Sequence, residues 1–198
     1  MEPKLDLSKA ALVVIDVQKG IVSPERKLEP YNTSEVIANT SALVKVFRKA
    51  NKPVFLVHVS SVDGKDMLHP VTDQPPQWAT AQRNMDWDEF AEEIKPVAGD
   101  IVITKHQWGA FYGTELDLQL RRRKIETIVL CGVSTNLGVE TTARDAYQLG
   151  YNQVFAVDAM AAFSKDEHEA TVKYIFPRMG QSRNVSEIVV TVESSLKT

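Results

Sequence analysis

Six short apolar runs, separated by stretches of helical periodicity, constrain this chain more than any other feature. They are "ALVVID" from Ala11, "VFLVHV" from Val54, "DIVITK" from Asp100, "TIVLCG" from Thr127, "VFAVDA" from Val154 and "EIVVTV" from Glu187. Each is rich in β-branched residues and nearly continuous in apolar character, so each reads as a strand covered on both faces. Between the first two, Asn32 and Glu35 form a capping pair ahead of a stripe of Val36, Leu43, Val44 and Phe47, which predicts a helix. A second helix is expected from Thr114, with Asp117 three residues on and Leu116 and Leu120 on one face. A third is expected from about Asn136 to Leu149, and a last from Ser164, where "SKDE" reads as a capping box. This alternation predicts an α/β fold: an open, mainly parallel six-stranded sheet with helices on both faces, in three layers.

The length of 198 residues and the hydrophobic content of 43% suffice for one large core, and no linker, repeat or low-complexity tract divides the chain. A single domain over residues 1–198 is the expectation. The stretch from Ser60 to Gly99 interrupts the pattern, holding four of the nine prolines, two of the three tryptophans and one plausible helix, "DWDEFAEEI". An insertion of this length reads as a lid over a site or as an oligomer contact.

A net charge of -3 offers no clustered positive field for nucleic acid or an anionic membrane, so a small-molecule partner is expected. The one basic run, Arg121 to Lys124, falls where a helix should end, and there cations oppose the carbonyl end of its dipole. The start "MEPKLDLSKAALVVID" lacks the pattern of a secretory signal, and no segment is long enough to span a bilayer. The single cysteine, Cys131, has no internal disulfide partner, which suits a reducing compartment, and a cytoplasmic location is expected.

In an open parallel sheet, ligands bind at the carboxyl ends of the strands near the point where strand order reverses. Three features end strands in this chain: Asp16 after the first, Lys105 after the third, and a glycine turn from Gly132 after the fourth. Taken singly, a strand-end carboxylate or lysine is more often half of a structural ion pair. Together with the turn they make a candidate site.

Three separated segments, "VVIDVQ", "ITKHQWGAFYGTELDLQL" and "CGVSTNLGVETTARDA", resemble the isochorismatase-like (cysteine hydrolase) superfamily in its own motif order, from about Ala11 to Asp158. The resemblance implies that family's Rossmann-like, three-layer fold. In the family, which includes nicotinamidases and carbamoylsarcosine amidohydrolases, an aspartate, a lysine and a cysteine form the catalytic group. By position these are Asp16, Lys105 and the site held here by Gly138. The resemblance further implies a cis bond from Val133 to Ser134, an oxyanion site at the amides of Ser134 and Gly138, and a homodimer or homotetramer. The aromatic content around Trp78, Trp87 and Phe90 suits such an assembly.

Glycine at 138 closes the thioester route of the amidases, which needs a thiol. Neither Cys131, inside an apolar strand, nor Ser134, in a turn lacking the second glycine of a nucleophile elbow, is a natural substitute. The metal site of nicotinamidases has no counterpart, since His58 lies within a strand and His69 is distant. No metal and no cofactor is expected. Isochorismatases themselves carry glycine at this position and cleave a vinyl ether by protonating its methylene carbon. By that resemblance Asp16 is the general acid/base, Lys105 its orienting cation, Gln18 a hydrogen-bonding second member, and Trp108 and Phe111 pocket walls. The chain departs from isochorismatases in having Ser134, Thr135 and Asn136 where those show tyrosine, alanine and histidine. The two carboxylates of isochorismate also call for cationic forks, for which Arg26 and Arg83 are the candidates. The leading expectation is therefore a small-molecule hydrolase of this family with its substrate open. The alternative is a noncatalytic small-ligand-binding protein on the same scaffold. A nucleotide-binding oxidoreductase is disfavoured because no GxGxxG follows the first strand.

Overall fold

The computed structural model describes residues 5–23, 25–68, 70–74 and 85–196. Its centre is one six-stranded sheet in the order β3-β2-β1-β4-β5-β6, with every neighbouring pair parallel. The strands are β1 (Ala10–Ile15), β2 (Val54–Val59), β3 (Ile101–Lys105), β4 (Thr127–Val133), β5 (Asn152–Ala161) and β6 (Gln181–Arg183). Among the described residues α1 (Thr33–Lys49), α2 (Leu116–Arg122), α3 (Glu140–Gln148) and α4 (Lys165–Tyr174) lie between strands, and α5 (Val185–Ser194) follows β6.

Alternate residues of the central strands feed two cores. Leu12 and Val14 of β1 join Leu43 and Phe47 of α1 and Ile188 and Val192 of α5 on one face. Ala11, Val13 and Ile15 join Leu116 and Leu120 of α2 and Ala143 and Ala146 of α3 on the other. Burial on both sides explains why the strand runs are apolar without interruption. The expected capping box of α1 is present: Asn32 Oδ1 accepts from the Glu35 amide at 3.1 Å, and Glu35 accepts from the Asn32 amide at 2.8 Å. Ser164 likewise caps α4 by accepting from the Glu167 amide. The run Arg121 to Lys124 closes α2, with Lys124 at φ 55.

The sixth strand corrects the sequence reading. "EIVVTV" is not a strand but the body of α5, and the strand that completes the sheet is the polar tripeptide Gln181–Arg183 before it. Asn184 and Glu187 form a capping box, and Val185, Ile188 and Val192 recur at helical spacing and are buried. Cap and period together override the β preference of the valines. "DWDEFAEEI" is a second correction: only Glu92–Ile94 coils, as a 3₁₀ turn. The backbone ahead of it bonds instead to the segment that leaves β1, through Lys19 N to Glu89 O, Gly20 N to Trp87 O and Ala91 N to Val17 O. The third helix begins differently from the expectation too, as a π-turn over Thr135–Val139 that leads into α3.

Among the described residues no helix is long and apolar enough to cross a membrane.

Candidate active site

Strand order reverses between β1 and β4, and their carboxyl ends carry Asp16 and the turn that begins at Gly132. The two strands approach so closely there that a Cβ on Gly132 would lie 2.0 Å from the Ile15 carbonyl oxygen, and its φ of 118 is one that L side chains rarely adopt. Glycine is therefore required at 132. The chain bends out of β4 through the cis Val133–Ser134 bond and enters the π-turn. That turn lays Gly138 against Asp16: a Cβ at 138 would fall 3.1 Å from Asp16 Oδ2 and 3.2 Å from Ile15 Cγ2.

Asp16 itself has φ 54, the left-handed region that aspartate tolerates better than most residues and that recurs at functional positions. It is 5% exposed, and Lys105 is 1% exposed. Lys105 Nζ donates to Asp16 Oδ2 at 2.7 Å and to the carbonyls of Gln107 and Trp108 at 3.1 and 2.7 Å. Its donors are thus committed to one carboxylate oxygen and two main-chain oxygens. Asp16 Oδ1, equally buried, finds no hydrogen-bond partner among the described residues. Burial pushes the Asp16 carboxyl above the usual aspartate range, while the charge and hydrogen bond of Lys105 pull the other way. The site therefore holds one carboxylate with a fixed oxygen and a second oxygen available to carry a proton.

Other candidates fall in different places. Gln18 is fully buried, but its amide is spent on the backbone: Oε1 accepts from Val59 N at 2.8 Å, and Nε2 donates to Val59 O at 3.0 Å and Trp87 O at 3.3 Å. It staples β2 and the returning insertion to the chain after Asp16 rather than offering a free group. Trp108 contributes its carbonyl to Lys105 while its side chain is 57% exposed. Phe111, the other expected pocket wall, is buried, and its ring packs against Tyr151 with centroids 5.8 Å apart, because burial there recovers apolar area. Val133 is buried at the end of β4, and Ser134 Oγ donates to Asn136 Oδ1 at 2.6 Å. Arg26 lies over the Phe163 ring at 5.9 Å. Arg83, Trp78 and His69 lie outside the described residues. His58 is the hydrogen-bonded strand residue expected, between the Asp88 carbonyl at 2.7 Å and Thr104 Oγ1 at 2.9 Å, with Phe90 stacked on it. Cys131 is fully buried, and burial pushes its thiol up to about 12.

Sequence reasoning missed three sets of contacts around the site. The carbonyls of Gln107 and Trp108 bear no side-chain signal. The buried pair Thr135 Oγ1 and His168 Nδ1, 2.8 Å apart, joins the π-turn to α4, and burial holds the imidazole below its ordinary range. Thr142, inside the quoted "ETTARDA", bonds to both halves of the site. Among the described residues no group of three His, Cys, Asp or Glu gathers as a metal would require. A depression of ≈ 510 Å³ opens at the opposite edge, lined by Lys9, Glu126, Tyr151 and Gln181 among others. It contains none of the strand-end groups, and chemistry places the candidate site at the carboxyl edge.

An all-parallel sheet covered by helices on both faces, with a buried aspartate–lysine pair at its carboxyl edge, defines a three-layer α/β protein. Comparison with known proteins names the family. The model described as "Isochorismatase domain" matches residues 10–187, and the chain belongs to the isochorismatase family. It is 51% identical to the uncharacterized isochorismatase family protein YwoC of Bacillus subtilis (strain 168), over 96% of this chain and 97% of that one. A solved structure of an isochorismatase family protein from Burkholderia thailandensis superposes with a TM-score of 0.89 at 42% identity, covering 96% of this chain and 98% of the other. Nicotinamidase 3 of Arabidopsis thaliana is 30% identical, over 82% of this chain and 78% of its own length.

Proposed function

We propose that this protein is a small-molecule hydrolase that works through Asp16 and Lys105 without a covalent thioester, with a vinyl ether as the favoured substrate class. One observation carries the reading. Asp16 is a buried carboxyl with one oxygen tied to Lys105 and the other, Oδ1, unpaired among the described residues, beside a Gly138 that has no side chain. A name such as Nicotinamidase 3 belongs to an amidase relative. Here the position facing Asp16 is glycine and Cys131 is a core residue with a raised pKa, so thiol acylation has no nucleophile among the described residues.

The chemistry follows from protonation at Oδ1. The Asp16 carboxyl gives its proton to the terminal methylene carbon of the vinyl ether, and the π pair forms the new C–H bond. The adjacent carbon becomes an oxocarbenium ion. Water adds to it, a proton from that water returns to Asp16, and the hemiketal collapses to a ketone and an alcohol. Lys105 holds Oδ2 throughout and offsets the negative charge that Asp16 acquires when it gives up its proton. Burial makes protonated Asp16 accessible closer to neutral pH than for an exposed aspartate. No oxyanion develops in these steps, so the amides of Ser134 and Gly138 are proposed to receive an anionic group that the substrate already carries.

The test is a hydrolysis screen over vinyl ethers, amides and esters with wild type and Asp16→Asn. Vinyl-ether turnover that vanishes in Asp16→Asn supports the proposal. Turnover confined to amides, or no turnover in either protein together with ligand binding in both, overturns it in favour of thiol chemistry or of a binding protein.

A further inference from the structure

We propose that Thr142 is a positioning residue that locks the two halves of this site together. Its hydroxyl, on the buried face of α3 where Thr142 is fully enclosed, donates to the Gly138 carbonyl at 2.7 Å and accepts from the Ala110 amide at 3.1 Å. Donation to the carbonyl four residues back is common for threonine in helices and alone means little. The second bond crosses elements. Ala110 belongs to the loop after β3 whose carbonyls at Gln107 and Trp108 hold Lys105 Nζ, and Gly138 is the residue laid against Asp16 Oδ2. One buried hydroxyl thus connects the support of the lysine to the turn beside the aspartate.

The rest of α3 presses on the same loop. A Cβ on Gly109 would lie 2.7 Å from Asp145 Oδ2 and 3.1 Å from Thr141 Cγ2. The loop therefore rests directly on the helix, and Thr142 supplies the directional bond that sets its register against the π-turn. Gln107 Nε2 closes the loop on itself by donating to the carbonyls of Gly109 and Tyr112 at 3.1 and 2.6 Å. A loop already closed in this way moves as a unit when its link to α3 is cut, and it takes the two lysine acceptors with it. Removing the hydroxyl strands the buried Ala110 amide and cuts its link to the turn at Gly138, so the loop shifts to find a new partner.

This inference rests on the proposed role of Asp16, but its first readout needs no substrate. Thr142→Val is nearly isosteric and deletes the hydroxyl, whereas Thr142→Ser keeps it. Carbon-13 NMR titration of the Asp16 carboxyl in the intact chain compares wild type with both. Loosening of Lys105 from Asp16 moves the midpoint to higher pH in Thr142→Val, and Thr142→Ser restores the wild-type value. On a substrate returned by the screen, Thr142→Val lowers kcat about 10- to 100-fold with KM nearly unchanged, as expected for misplacement of a reacting group. An unchanged midpoint in a folded Thr142→Val protein overturns the proposal. So does a serine variant as impaired as the valine one, since the methyl group would then be what matters. If Thr142→Val does not fold, Thr142→Ala takes its place, and failure of both shows a general folding requirement and overturns the positioning role. Full activity in Asp16→Asn would instead remove the reading of the site, whatever the titration shows.

Discussion

Gly138→Ala separates the packing of the turn from its chemistry. Gly138 is not among the glycines with positive φ, so alanine meets no backbone penalty there. Replacing glycine where the conformation suits alanine stabilises by about 0.4–1 kcal/mol, chiefly by restricting the unfolded chain. Against this stands the new methyl, 3.1 Å from Asp16 Oδ2 and 3.2 Å from Ile15 Cγ2, where ordinary contacts start at 3.4 Å. Ile15 lies in β1, which is paired on both sides, so relief of a few tenths of an ångström falls mainly on the Asp16 carboxyl. That group is held at 2.7 Å by Lys105 and yields only by distorting the pair. The two stability effects nearly cancel, leaving a net change within about 1 kcal/mol and a shift in Tm of no more than about 2–4 °C for a chain of this size. Turnover, in contrast, falls about 10- to 100-fold, because the displaced group is the one assigned the proton. Differential scanning calorimetry and steady-state kinetics on the same preparation give both numbers. A variant with wild-type melting and wild-type kcat refutes the placement of the chemistry beside position 138.

Cys131 should resist iodoacetamide in the folded protein and react only on unfolding, since its thiol is buried and its pKa is pushed up to about 12, and Cys131→Ser should retain turnover. Loss of turnover with the fold intact would make Cys131 the working nucleophile. Lys105→Met should cost about 3–5 kcal/mol at neutral pH by leaving a buried carboxylate unpaired. Its Asp16 carboxyl, already raised by burial, rises further without the cation. A group that binds its proton more tightly in the folded state loses stability as pH climbs from the unfolded pKa to the folded one. The deficit should therefore be larger in urea melts at pH 8 than at pH 5, and the reverse order would contradict the assignment. Light scattering at micromolar concentration should give a dimer or tetramer, and a monomer would remove the assembly expected from the sequence.

The parts of this molecule that local chemistry decides were legible before the fold was known. Buried strands write themselves as continuous apolar runs, and the residue that ends such a run in an open parallel sheet faces the ligand edge, so Asp16, Lys105 and the glycine turn could be singled out. Asn32 and Glu35 marked the start of α1 because a capping box needs only near neighbours. At α5 two local signals competed, and β-branched content drew attention from the cap formed by Asn184 and Glu187. The true sixth strand, Gln181–Arg183, is too short and polar to signal anything and exists because β5 offers it an edge. Main-chain acceptors for Lys105 carry no residue code. Gln18 read as a site residue because its position beside Asp16 is visible, whereas its bonds to Val59 and Trp87 depend on chain segments far away in sequence. The packing of Phe111 against Tyr151 is hidden for a related reason: aromatic spacing after a strand end does not say which side of the loop meets the core.

The proposed hydrolysis depends on Asp16 as the group that moves the proton. Its most direct test is the single-turnover rate of Asp16→Asn against wild type on the best substrate of the screen, with the fold of the variant verified by calorimetry. Asparagine preserves the shape of the side chain but has no acid proton to give, so a loss of about 10²- to 10⁴-fold is expected, the usual worth of a general acid. A folded Asp16→Asn protein that turns over at the wild-type rate would place the chemistry elsewhere.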